Sequence, residues 1–169
     1  CVVGGGELIL AAGLELYREH EPKLVVCASG HRAQYLTEAD APTESEIMSA
    51  RFLEQCRQND LREPEIVVWP KENDVPGPSN TEVELLNILR LAFEKGCLVV
   101  GVVTVTVHLQ RTILFTRRHL TSKEFANKHI KVGFFASEHV LTRVHPEVYA
   151  PRTLKLFSSE AFRRSAIRE

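Results

Sequence analysis

The chain is short of sulfur, of net charge and of long apolar runs, and each shortage removes a class of function. Its four cysteines, Cys1, Cys27, Cys56 and Cys97, form no CxxC pair and have no histidine at metal-ligand spacing, so neither a zinc site nor a redox motif is encoded. They read instead as buried, reduced thiols acting as small hydrophobes, which fits a reducing, cytoplasmic compartment. Against 21 lysines and arginines stand 22 acids, a net charge of −1, so no overall field recruits nucleic acid or an anionic membrane. No run approaches the ~18 apolar residues of a transmembrane helix, so no membrane segment is expected in this chain. No signal peptide is read either. The chain opens at Cys1 inside a predicted strand, so a truncated N-terminus is expected, and a membrane-anchored parent is compatible with the sequence. GxGxxG, Walker A and GxSxG patterns are lacking too: counted from Gly4 and Gly6, the third glycine of the first would fall on Ile9.

What is there is the make-up of a single α/β domain over residues 1–169, 44% hydrophobic and 25% charged, long enough to bury about two-thirds of its unfolded surface. Its organising stretch is Gly96–Arg111. The first part is a β-branched, almost wholly apolar run, the mark of a strand buried on both faces of a parallel sheet. From Thr104 the stretch turns polar, and a helix is predicted from about His108 to Arg118. Further strands are predicted at the start of the chain, at Lys23–Ala28, at Glu65–Trp69 and at Ile130–Ala136. Between them lie an amphipathic helix over Leu8–Glu19, a helix opened by the capping box Thr43-x-x-Glu46, and one opened by Ser79-x-x-Glu82 and closed by Gly96. Gly4-Gly5-Gly6 reads as a tight turn, Pro70–Ser79 as a fixed-shape loop and Ser122–Lys128 as a short helix. Beyond Ala136 the pattern is weak: Val144–Phe157 carries no assignment, and Ser158–Arg168 reads as a surface helix. Strand–helix alternation of this kind predicts a doubly wound, mostly parallel sheet.

Polar groups collect where three of these strands end: Ser29 and His31, then Asn80 and Thr81, then Thr104, Thr106 and His108. In a parallel sheet those carboxyl ends share one edge, which is where open α/β sheets place ligands. His108 and Arg111 fall at a helix N-terminus, where the macrodipole already presents about half a positive charge. An anionic ligand or a carboxylate partner would resolve that conflict. Blander roles exist for each group. Capping accounts for Glu46 and for much of Asn80 and Thr81, a turn accounts for Gly30, and Arg111 could pair with a structural acid. Glu44 is the acid least explained by capping.

Ser29-Gly30, Thr43-Glu44-Ser45-Glu46-Ile47-Met48, Ser79-Asn80-Thr81 and Thr104-Val105-Thr106-Val107-His108-Leu109-Gln110-Arg111 occur in that order. In this the chain resembles the bacterial family that contains YdcF, the vancomycin-exclusion protein SanA and the envelope factor ElyC, over roughly residues 1 to 120. The resemblance implies a Rossmann-like three-layer sandwich with a mostly parallel central sheet. It also implies a polar pocket formed by Gly5, Gly6, Ser29, Gly30, Glu44, Asn80, Thr81, Thr104, His108 and Arg111. The chain departs from the family's pattern at His31 (usually Gly), at Val105 (usually Ser) and at Val83-Glu84 (usually Glu-Asn), with Glu82 and Glu84 the nearest carboxylates to that lost pair.

Two functions follow as expectations. In the first, the protein binds a small anionic or nucleotide-like molecule of phosphate or adenosyl type, a nucleotide or S-adenosylmethionine among the candidates, as a hydrolase or group transferase. Glu44 and His108 would be the acid/base pair, Arg111 the anion clamp, and Gly5, Gly6, Ser29, Gly30, Asn80, Thr81 and Thr104 the remaining ligand-binding groups. No metal is expected, since Glu44 and His108 have no evident third ligand. In the second, the protein is a non-catalytic ligand- or partner-binding module linked to cell-envelope assembly.

Overall fold

The computed structural model describes residues 5–28, 42–68, 80–160 and 164. Among them helices and strands alternate: α1 (Gly5–His20), β1 (Leu24–Cys27), α2 (Glu44–Gln58), β2 (Glu65–Val68), α3 (Thr81–Glu94), β3 (Val99–Thr104), α4 (Thr106–Leu120) and β4 (Lys131–Ala136). Two helices close the series, α5 (Ser137–Val144) and α6 (Pro146–Ser158). The predicted Pro70–Ser79 loop lies outside the described residues, as do Ser29, Gly30 and His31.

Local signals set the helix ends. Thr43 and Glu46 form the expected capping box, the Thr43 amide donating to Glu46 Oε2 at 2.7 Å and the Glu46 amide to Thr43 Oγ1 at 3.2 Å. Gly96 takes φ +68° just past α3, with its amide on the Phe93 carbonyl and that of Cys97 on the Ala92 carbonyl. That is a Schellman closure, for which glycine is the least strained residue. At the start of α3 the cap is Asn80 rather than Ser79: its carboxamide oxygen accepts from the Val83 amide at 3.1 Å.

Among the described residues all strand pairing is parallel, as expected, but it falls into two separate two-stranded sheets. β1 pairs with β2 from Leu24 opposite Glu65 to Cys27 opposite Val68. β3 pairs with β4 from Val99 opposite Lys131 to Thr104 opposite Ala136. Among the described residues no ladder joins β1 to β3.

Packing holds the two pairs together. On one side of α1, Ala12 and Leu16 pack with Val140 and Leu141 of α5 and with Val103 and Phe135. On its other side, Leu14 and Tyr17 pack with Phe52 and Cys56 of α2 and with Val25 and Ile66. The opposite face of β3 and β4, through Val100 and Val132, meets Leu89, Phe125 and Ile130. Alternate residues along a strand face opposite ways, so helices cover both faces of that pair.

Several expectations are corrected. β3 is less buried than its composition implied: helices lie over both faces, yet none of its six residues is buried, and Val99 is 77% exposed. Cys97 precedes β3 and is half-buried, whereas Cys27 and Cys56 are buried as expected. Gly5 and Gly6 are the first residues of α1 rather than its preceding turn. Ser122–Lys128 is a run of turns, with the Phe125 and Ala126 amides both on the Ser122 carbonyl, because the chain bends to seat Phe125 in the core. The stretch Val144–Phe157, without assignment in the sequence, holds α6, whose period Pro151 disguised, while Glu160 and Arg164 are helical, within the surface helix expected over Ser158–Arg168.

Two measurements check this core. Leu141, 1% exposed, should cost about 2–5 kcal/mol on substitution to Ala, read as a lower urea midpoint. Burial pushes the Cys27 thiol up from 9.0 to about 11. Its folded value lies above its unfolded one, so its contribution to stability is complete below pH 9 and disappears as pH rises through 11. The alkaline loss of unfolding free energy should therefore be smaller in Cys27→Ala than in the parent.

Candidate functional site

A cavity of about 1320 Å³ lies between the two strand pairs, bordered by residues of β1, β3, β4, α1, α2, α3 and α4. Its polar groups come from the carboxyl ends of the strands and the helix starts that follow them. Glu44 opens α2, Asn80 and Thr81 open α3, Thr104 ends β3, and His108 and Arg111 lie in the first two turns of α4. All six border this one cavity, so the convergence expected from a parallel arrangement is realised for them. Gly6 does not border it. Gly6 sits behind Met48, a lining residue whose Cε would lie 3.9 Å from a Cβ added there. Ser29 and Gly30 lie outside the described residues.

The individual geometries sort the groups. Arg111 Nη2 lies 3.1 Å from His108 Nδ1. Guanidinium nitrogens only donate, so Nδ1 accepts, and any proton on the imidazole then sits on Nε2. Spacing of three residues on one helix brings the pair together. The His108 carbonyl accepts the Thr112 hydroxyl at 2.8 Å, which ties down the turn carrying both side chains. Glu46 serves the capping box, whereas Glu44, exposed, is not a member of that box. Asn80 presents a carboxamide whose oxygen is engaged in capping. Glu82 Oε1 accepts from Arg118 Nη1 at 2.9 Å, which holds that carboxylate on α4.

One residue in this region escaped the sequence reading. Val105, the cap of α4, makes no side-chain cap bond. Its place is taken from a distance by Glu138 of α5, only 4% exposed. Glu138 Oε2 accepts the Thr106 amide, the Thr106 hydroxyl and the Ser137 hydroxyl, each at 3.0 Å. A buried carboxylate on this helix N-terminus is the answer, within the protein, to the accumulation of positive charge that His108 and Arg111 create there. The signal was present: Ser137-Glu138 directly follows the last strand, at the same edge as the other polar ends.

Among the described residues no group of three or more His, Cys, Asp or Glu stands close enough to hold a metal ion. No described helix is long and apolar enough to cross a membrane. What fold and site define together is an α/β protein with parallel strand pairs and a polar hollow at their carboxyl ends. Comparison of the chain with models of known families, with curated proteins and with solved structures found no match.

Removing the Glu138 carboxylate should strip three donors of their acceptor. Glu138→Ala is expected to cost about 1–3 kcal/mol in urea unfolding, and Glu138→Gln, which keeps one oxygen acceptor, distinctly less.

Proposed function

We propose that the protein binds a small anionic or nucleotide-like molecule at the carboxyl ends of its strands, in a Rossmann-like three-layer sandwich of which the two strand pairs are halves. The observation that carries this reading is the meeting of Glu44, Asn80, Thr81, Thr104, His108 and Arg111 along one cavity. Arg111 supplies a planar fork suited to two oxygens of a phosphate or carboxylate. His108, with Arg111 on its Nδ1, offers Nε2 as a hydrogen-bond donor or proton relay, and Glu44 supplies a carboxylate across the same hollow. Thr81 and Thr104 contribute hydroxyls that orient the bound group. Hydrolysis or group transfer at a phosphate or adenosyl-type substrate is the reaction class this set supports, with membership of the YdcF and SanA family as the matching ancestry.

A second reading, binding without turnover in a module of cell-envelope assembly, is favoured by two observations. Val83-Glu84 stands where that family carries Glu-Asn, and the Asn80 carboxamide oxygen is committed to its helix cap. Thermal-shift measurements with inorganic phosphate, AMP and S-adenosylmethionine separate the cases. At least one should raise the melting temperature, and Arg111→Ala should abolish the rise. A rise retained in full by Arg111→Ala removes Arg111 from the site. Turnover of the bound compound that His108→Ala or Glu44→Ala stops, with binding kept, decides for the enzyme; binding with no turnover in the parent decides for the module.

A further inference from the structure

β3 and β4 stay in step after their ladder stops. Thr104 lies opposite Ala136 in the last rung, and two residues further along each segment stand Thr106 and Glu138. That register delivers the Glu138 carboxylate to the first residue of α4, where Oε2 takes the Thr106 amide and the Thr106 hydroxyl at 3.0 Å each. Ser137, fully buried, donates its hydroxyl to the same oxygen at 3.0 Å. Three donors on one oxygen hold the carboxylate against the start of α4.

Burial gives this charge its reach. Glu138 is 4% exposed, and its chain neighbours Ala136, Val140 and Leu141 are buried too, so solvent and salt screen it little. His108 and Arg111 follow Thr106 on the same helix, and both border the cavity. An anion on the Arg111 fork therefore feels a fixed negative charge as well as the guanidinium and the helix dipole. That repulsion grows in proportion to the charge on the guest. Capping alone needs no such charge, because α2 and α3 are capped by neutral groups, the Thr43 hydroxyl and the Asn80 carboxamide.

We propose that Glu138 is a specificity-determining residue that selects a singly charged anion, a phosphodiester or a carboxylate, against a doubly charged phosphate monoester. The proposal rests on the anion-binding reading of the cavity and adds the charge class of the guest. Glu138 does not touch the guest. It acts through the potential at the start of α4, where a dianion meets about twice the opposing energy of a monoanion.

The test follows the amide chemical shifts of Thr106 to Arg111 during titration at about pH 8, where a phosphate monoester carries about two charges and a diester one. The probes are two matched pairs, AMP with cyclic AMP and methyl phosphate with dimethyl phosphate. The parent, Glu138→Gln and Glu138→Asp are compared, each with its urea midpoint. The parent should prefer the diester of each pair. Glu138→Gln keeps an acceptor and removes the charge, so it should tighten diesters about threefold and monoesters about tenfold. Glu138→Asp keeps the charge on a shorter arm, so it should lose stability and keep the parent's preference. A residue that only caps α4 gives the opposite result, with affinity in the Gln form unchanged or falling in step with stability.

A parent that prefers monoesters overturns the proposal, as do equal gains for both members of a pair or an Asp form that behaves as the Gln form. Should the Gln form not fold, Glu138→Ala carries the same expectation; loss of the fold in both assigns the carboxylate to stability alone and overturns the proposal. No binding of any probe by the parent or the Gln form overturns the anion reading and the proposal together. Binding with a preference that Gln leaves unchanged overturns the proposal alone.

Discussion

Two pairs of strands that no ladder joins among the described residues are held in one arrangement by the side chains of a single helix, and the site depends on that packing. α1 presents Ala12 and Leu16 to one pair and Leu14 and Tyr17 to the other. Tyr17 anchors its side twice, edge-on to the Phe52 ring with centroids 5.6 Å apart and through a 2.7 Å hydrogen bond to the Arg62 carbonyl. Burying such side chains contributes about 1.5–3 kcal/mol each, on the scale of a domain's whole net stability when several act together. Glu44 follows one strand pair, and His108 and Arg111 follow the other. Their common cavity exists because α1 fixes the distance between the pairs.

Within that frame the start of α4 is the electrostatic focus. A helix N-terminus, an imidazole and a guanidinium are gathered there, and Glu138 brings its buried carboxylate to the first amide. The Glu138 bonds and the His108–Arg111 contact lie on one short segment. The carboxylate satisfies the backbone from behind, while His108 and Arg111 border the hollow. The positive charge gathered at the start of α4 is thus compensated from within the protein by the Glu138 carboxylate.

Much of the fold was legible because its signals are local. The Thr43–Glu46 box, the Gly96 closure and the 3.6-residue periods of α1, α2 and α3 involve residues a few positions apart, and each formed where the spacing said. Glu138 was not legible as a partner of Thr106 because the two are 32 residues apart, and only packing of α5 beside α4 brings them together. α6 was hidden by Pro151, whose ring breaks the hydrogen-bond ladder without ending the helix. The exposure of β3 ran against its composition, because burial of a strand depends on what lies beside it and not on its own residues.

By itself the sequence determined the alternation of helix and strand, the parallel sense of pairing and the edge on which Asn80, Thr104, His108 and Arg111 gather, since these follow from periodicity, capping and chain connectivity. Only the tertiary structure decided that the strands stand as two pairs with a cavity between β1 and β3, and that a carboxylate from α5 occupies the start of α4. Those outcomes depend on side chains far apart in sequence meeting around α1, and no local pattern carries that information.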